Sequence, residues 1–374
     1  MAADDPFQQF KDRYESELSK LGTFNLAVVG ATGAGKSTLI NSIFRANVAA
    51  VGNGRPVTPH VTKLERSGVP LAIYDTKGVE LGDAADAVIA EFREIIAERR
   101  RLGVQEQIHA VWYCIRSHDK RIEDFQIALI RAFVDEQLPV MVVLTQCLGP
   151  EDAEALEFAA VIAQQGLPTS PGPAPFLTLA QPRKITAELT LPSFGLQELL
   201  DATFDVVPAA ARDALINTQR IDLERKTKRA RGELAGFAAT AAGIGATPIP
   251  FADAALLVPV QLGMLARICV VFGVEIKKET MLGLVTAAAG TGGATAAGRY
   301  VATSLLKFVP GGNVVGGAIR AGTAAALTTA LGEAYVQACR EIVRREYAGE
   351  RPLAQDEIKV LVLDRFREWS KRIR

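Results

Sequence analysis

Nine consecutive residues of this chain are spaced to hold phosphate: Gly30, Ala31, Thr32, Gly33, Ala34, Gly35, Lys36, Ser37 and Thr38 satisfy the pattern G-x-x-x-x-G-K-[ST]. The glycines let successive backbone N–H groups turn inward around β- and γ-phosphate oxygens. Lys36 adds a point charge there, and the Ser37 hydroxyl is placed to hold Mg²⁺. The flanks agree with that chemistry. Phe24–Val29 (FNLAVV) is a short apolar run that reads as a buried strand, and residues 38–44 (TLINSIF) have helical spacing. Phosphate would then sit at a helix N-terminus, where unpaired amides and the helix dipole favour an anion.

A second element lies downstream. Asp75-Thr76-Lys77-Gly78 follows the apolar stretch LAIY, which makes a D-x-x-G at a strand end. A carboxylate there orients Mg²⁺ through water, and the Gly78 N–H meets a γ-phosphate. Between the two lies GNGRPVTPHVTK, residues 52–63. A switch segment of this kind needs a threonine whose hydroxyl reaches Mg²⁺ when γ-phosphate is present. Thr58 and Thr62 both qualify. Thr58 is preferred because the chain between it and Asp75 leaves room for a full antiparallel strand. Lys36, Thr58 and Gly78 are therefore the candidate catalytic residues, and Ser37, Thr58 and Asp75 the candidate metal ligands. His60 reads as a solvated loop histidine rather than a base.

Those motifs need a sheet to carry them. Apolar runs recur at 24–29, 69–74, 108–115, 139–145 and 174–180, with helical patterns at 36–45, 84–101, 122–137, 151–165 and 195–206. Continuous apolar strands separated by helices imply an α/β fold with a mostly parallel sheet covered on both faces. Ligands of such sheets bind at the carboxyl ends of the strands. Residues 1–22 read as a polar helix leading into the first strand. Beyond about 208 the chain becomes rich in Ala, Gly and Thr, after a charged helix at 209–232 and before a polar amphipathic one at about 355–374. The expected division is an N-terminal helix at 1–22, an α/β domain at 23–208 and an all-helical domain at 209–374.

Composition narrows the partners. Lys and Arg number 42, as do Asp and Glu, so no net field recruits nucleic acid. The four cysteines are scattered without a CxxC pair, which argues for a reducing compartment and against structural zinc. The N-terminus is acidic and polar, unlike a secretory signal. Two stretches, 234–252 and 281–298, are uncharged but small-residue rich and interrupted by Gly or Pro. Two readings of the second domain stay open: a water-soluble bundle with tight Ala/Gly helix contacts, and a hairpin that enters lipid on nucleotide-driven opening.

The segments GATGAGKST, GRPVT, IYDTKG and HAVWYCIRSHDKRIEDF together resemble an Era-like, translation-factor-class bacterial GTPase, with relatives among immunity-related and dynamin-type proteins. TPIPFADAALLVPVQLGMLARICVVFG and LLKFVPGGNVVGGAIRAGTAAALTTALGEAY are similar to the helical domain of unknown function fused to such GTPases. The resemblance implies a P-loop G domain, a guanine nucleotide (GTP or GDP), Mg²⁺, slow hydrolysis, and a cytoplasmic protein that associates peripherally with membrane lipid.

The resemblance also exposes two departures. Such GTPases read guanine with N/T-K-x-D, its lysine stem covering the base and its carboxylate accepting two N–H bonds. This chain offers Thr145-Gln146-Cys147-Leu148. Thr145 fits, Gln146 replaces the lysine and the carboxylate is gone; Asp152 lies several residues on. Ala180, in Thr178-Leu179-Ala180-Gln181, loosely matches the loop whose backbone touches the guanine carbonyl. The second departure is Val79, where a glutamine would orient the attacking water. Help must come from another group, a partner, or a nucleotide-dependent homodimer. A K⁺ held by a loop asparagine is closed off by Gly33. Arg116 and Arg121 are candidate arginine fingers, with surface ion pairing the simpler role.

Overall fold

The computed structural model describes residues 6–45, 55–76, 85–246, 252–274, 284 and 317–372. They form two compact units, Leu21–Ile221 and a second made of Met1–Lys20 with Asp222–Arg374.

The first unit is built on strands β1 (Phe24–Val29), β2 (Arg55–Pro56), β3 (Val61–Glu65), β4 (Leu71–Thr76), β5 (Ala110–Arg116), β6 (Val140–Thr145) and β7 (Phe176–Leu177). They form one sheet in the order β2-β3-β4-β1-β5-β6-β7. β2, β3 and β4 are antiparallel along one edge; β4, β1, β5, β6 and β7 run parallel. β1 lies between β4 and β5, so the strand order reverses there and its carboxyl end opens on a crevice. Thr58 is indeed followed by a full antiparallel strand, β3.

Helices α2 (Lys36–Ile43), α3 (Ala85–Arg101), α4 (Asp124–Asp135), α5 (Ala153–Gln164), α6 (Leu196–Val206) and α7 (Ala209–Thr218) complete this unit, with a small hairpin of β8 (Arg183–Lys184) and β9 (Thr190–Leu191). Alternation along β5 shows why both faces are covered. Val111, Tyr113 and Ile115 join a buried cluster with Phe92 of α3 and Phe133 of α4, whose rings meet edge-on at 4.8 Å. Trp112 faces the other way, stacks on Phe44 at 5.6 Å and donates its indole N–H to Thr203 of α6 at 3.1 Å. A buried indole N–H needs such an acceptor.

β7 is shorter than the apolar run at 174–180. Pro173 and Pro175 have no N–H to give a ladder, and beyond β7 the Thr178 N–H donates to the Leu144 carbonyl of β6 at 2.8 Å.

The helical unit contains α1 (Pro6–Ser19), α8 (Leu223–Ala246), α9 (Ala252–Phe272), α10 (Gly317–Tyr347) and α11 (Gln355–Arg372). α10 packs most extensively on α8, and α1 packs on α9. Gly332 explains how closely the helices approach: a Cβ there would lie 2.6 Å from the Leu234 side chain of α8 and 3.0 Å from the Met264 sulfur of α9. Lys226 is fully buried, and its ammonium donates to the Val271 and Phe272 carbonyls at 3.3 and 3.1 Å, capping the last turn of α9.

Two expected boundaries differ. The charged helix at 209–232 is two helices, because Gln219 is extended and pairs with Phe44, while Asp222 caps the start of α8 through the Arg225 N–H at 2.7 Å. α7 thus belongs with the first unit, where the Arg45 N–H, just after α2, donates to the Thr218 carbonyl at 2.9 Å. The N-terminal helix belongs to the helical unit, with Glu17 facing Arg267 at 3.7 Å. Among the described residues no helix is long and apolar enough to cross a membrane. Of the uncharged stretches at 234–252 and 281–298, residues 247–251, 281–283 and 285–298 lie outside the described residues.

Candidate nucleotide-binding site

The glycine loop leaves β1 as the spacing requires. Gly30 has φ 147°, and a Cβ on it would stand 2.3 Å from the Cys114 carbonyl oxygen of β5, so no other residue fits. Gly33 and Gly35 also lie in the left-handed region, at φ 77° and 80°. Gly35 caps α2 without any side chain, so the first amides of that helix are not satisfied by a capping group. Thr32, Gly33, Ser37 and Thr38 are exposed around this end, while Ala34 is buried and Ala31 partly so.

Lys36 folds back into the loop. It is buried, and its Nζ donates to the Gly30 and Ala31 carbonyls at 2.8 and 3.1 Å, so it braces the loop from inside. Its third neighbour is Asp75, whose Oδ1 lies 3.9 Å away, long for a direct ion pair. That oxygen is buried and has no hydrogen-bond partner among the described residues. Burial pushes the Asp75 carboxyl up, against the lowering effects of Lys36 and the Thr76 backbone. An exposed Ser37 hydroxyl and an orphaned Asp75 oxygen make an all-oxygen donor set, the kind a hard cation such as Mg²⁺ takes.

Thr58 makes no hydrogen bond to Lys36 or Asp75 among the described residues. Its hydroxyl donates to Glu91 of α3 and accepts from the Val61 N–H at 3.0 Å. His60 is not simply solvated: its Nδ1 pairs with the other Glu91 oxygen at 2.7 Å, and its backbone N–H donates to Glu91 at 3.2 Å. Thr62 sits in β3 directly opposite Asp75. Gly78 and Val79, with 77–84 as a whole, and residues 46–54 lie outside the described residues. Arg116 and Arg121 form the ion pairs expected of surface residues, to Asp119 at 3.0 Å and Glu123 at 2.6 Å.

On the base side, Thr145 and Gln146 are both fastened to the glycine loop. The Thr145 hydroxyl donates to Ala34 at 2.8 Å, and the Gln146 amide donates to the Gly33 carbonyl at 3.0 Å. Gln146 has φ 61°, an unfavourable setting for a side-chain-bearing residue held here by those contacts. The Cys147 N–H donates to Thr178 at 3.1 Å, which brings the 145–148 and 178–181 loops, including the partly buried Ala180, side by side. Asp152 is committed elsewhere: its carboxylate accepts from the Leu148 N–H at 2.8 Å and the Ala155 N–H at 3.2 Å, capping α5. Leu148 is exposed.

Residues 25–146 match the family model described as 50S ribosome-binding GTPase. This is a P-loop GTPase fold. Residues 210–364 of the same chain match the model described as a domain of unknown function, DUF697. The GTPase domain is similar to cell division control protein 10 of Saccharomyces cerevisiae, 24% identical over 156 residues that cover 34% of this chain and 48% of that one. Septin-1 of Mus musculus is 27% identical over 172 residues, 38% of this chain and 46% of its own length. The tRNA modification GTPase MnmE of Maricaulis maris is 33% identical over 87 residues, 23% and 19% of the two chains. The chain thus spans less than half the length of these curated relatives. The resemblance read from the motifs holds at the level of a GTPase domain joined to this helical domain; the relatives found are septins and MnmE.

Sequence reasoning missed Glu91. It lies 33 residues from Thr58 on an ordinary amphipathic helix, and no local pattern marks it.

Proposed function

We propose that this chain is a Mg²⁺-dependent GTP-binding protein and a slow GTPase whose nucleotide state moves its helical domain at a membrane surface. One observation carries the reading: the Lys36 ammonium and an orphaned Asp75 oxygen face each other across 3.9 Å at the carboxyl ends of two adjacent strands. A buried carboxylate oxygen with no hydrogen bond is costly unless a ligand completes it.

Lys36 and the amides at the start of α2 would stabilise negative charge on a transferring phosphoryl group as water attacks. Ser37, Asp75 and Thr58 would hold Mg²⁺, which when bound supplies neutralising charge to the phosphate oxygens. Val79 cannot orient water, so hydrolysis is slow unless a second copy contributes through a nucleotide-dependent homodimer. The two nucleotide states would differ in residues 48–63 and 76–88, and would act on the helical domain through their differential affinity for two arrangements.

Single-turnover hydrolysis of GTP by the full chain at high concentration tests this, with and without Mg²⁺ and lipid vesicles. Mg²⁺-dependent turnover is expected, and Ser37→Asn should weaken the Mg²⁺-triphosphate state selectively. A rate that stays uncatalysed under every condition leaves a nucleotide-gated scaffold instead. Co-sedimentation with vesicles in GTP and GDP tests the membrane role.

A second reading has its own support. With Asp152 capping α5, the base-reading position itself carries Leu148 in place of a carboxylate. An ATP-binding switch follows from that. Competition of labelled GTP by equal ATP decides; equal displacement ends guanine preference.

A further inference from the structure

The Glu91 carboxylate is the centre of a small polar cluster at the ligand end of the sheet. β3 runs antiparallel to β4 with Val61 opposite Thr76, so the turn before Val61 lies beside the carboxyl end of β4, where the D-x-x-G begins. From that turn Glu91 receives the Thr58 hydroxyl, the His60 ring at 2.7 Å and the His60 N–H at 3.2 Å. The Val61 N–H to Thr58 Oγ1 bond at 3.0 Å closes the turn on itself. Burial raises the Glu91 carboxyl, but the hydrogen bonds from Thr58 and His60 outweigh it and hold the group below the usual carboxylate range. Its two oxygens between them accept from both residues.

Glu91 cannot follow the turn easily. It belongs to α3, and the neighbouring Val88, Phe92, Ile95 and Ile96 are buried in the sheet's core cluster with Val61 and Tyr74. Among the described residues, Thr58 shares no hydrogen bond or ion pair with Lys36, Ser37 or Asp75. The Thr58 hydroxyl is fixed by α3 rather than by the phosphate loop. α3 is also the element that directly follows residues 77–84, so one carboxylate joins the first switch turn to the helix behind the second.

We propose that Glu91 is a positioning residue that latches the Thr58–Val61 turn to α3 and keeps the Thr58 hydroxyl from the metal, so that a nucleoside triphosphate must break the latch to engage Thr58. The inference rests on the reading of Thr58 as the metal-seeking switch threonine. A diphosphate, making no call on Thr58, leaves the latch closed. Glu91 thereby sets the preference between the two nucleotides without touching either.

The test uses the full chain with Mg²⁺ and measures affinity for a non-hydrolysable GTP analogue and for GDP. A hydrogen bond to a charged group is worth enough that Glu91→Ala should tighten the analogue by about tenfold, with GDP affinity unchanged. Glu91→Gln, which keeps the shape and drops the charge, should shift the same way by less, and it decides alone if the alanine variant does not fold. In a Thr58→Ala background the Glu91→Ala gain should vanish, which a merely structural glutamate would not produce. Analogue affinity that is unchanged or weaker in folded Glu91 variants, an equal gain for GDP, or a gain that persists without the Thr58 hydroxyl overturns the latch alone. Wild-type protein that binds neither nucleotide overturns the functional reading and the latch together.

Discussion

Thr62 and Asp75 stand directly opposite each other across β3 and β4, and each carries a buried side-chain oxygen with no hydrogen-bond partner among the described residues. Opposed residues of an antiparallel pair point to the same face. Asp75 is positioned for a ligand, whereas Thr62 is fixed in a strand and is free to lose its hydroxyl. Thr62→Val should therefore stabilise the fold by about 1 kcal/mol, since it removes an unsatisfied buried group and suits a strand. Its triphosphate affinity should equal wild type, while Thr58→Ala should lose most of the preference for GTP over GDP. Equilibrium denaturation and nucleotide titration check both; loss of triphosphate binding in Thr62→Val would make Thr62 the switch threonine.

Lys36→Ala should act twice. Triphosphate affinity should drop by at least about 100-fold, since a charge-assisted phosphate contact disappears. The loop also loses its internal brace on Gly30 and Ala31, so the melting temperature should fall by a few degrees, as about 1–2 kcal/mol does in a domain of this size. Calorimetry with unchanged nucleotide binding would contradict the site itself.

Asp152→Ala separates a cap from a base reader. Losing an N-cap aspartate costs about 1 kcal/mol, and the ratio of GTP to ATP affinity should not change. A selective fall in GTP affinity would mean that Asp152 leaves its cap to meet the base.

His109 gives the fold a pH dependence. Its Nδ1 accepts from the Asn25 N–H at 3.0 Å, and its Nε2 donates to the Val104 carbonyl at 2.8 Å, so the ring is held neutral. Burial lowers its pKa, against smaller raising effects of Val104 and Glu106. The folded value is below the unfolded one of about 6.5, so the unfolded chain takes up the proton first. The stabilisation is complete above about pH 6.5 and is lost as pH falls from there toward the folded value. Wild-type melting temperature should drop between pH 7.5 and 5.5, and His109→Leu should flatten that slope while melting lower at pH 7.5.

The parts legible from the residues are those whose cause is local. Continuous apolar runs located β1, β4, β5 and β6 to within a few residues, because a strand buried on both faces has no polar position to blur its ends. The glycine loop was legible because its spacing is itself the geometry. What escaped were long-range commitments. Nothing near Asp152 says that its carboxylate caps α5, nothing near Glu91 says that it will hold Thr58, and Lys36 gives no sign that it folds inward. The break between α7 and α8 escaped because Gln219 becomes extended only by pairing with Phe44, far away in the chain.

The clash that any side chain on Gly30 would make with the Cys114 carbonyl has an evolutionary consequence. That glycine is demanded by the seam between two strands, before any nucleotide arrives. A descendant that abandoned phosphate chemistry would have to keep Gly30 to fold at all, yet could discard Ser37 freely. Persistence of the first glycine in a relative therefore testifies to its architecture, and the serine is the residue to ask about activity.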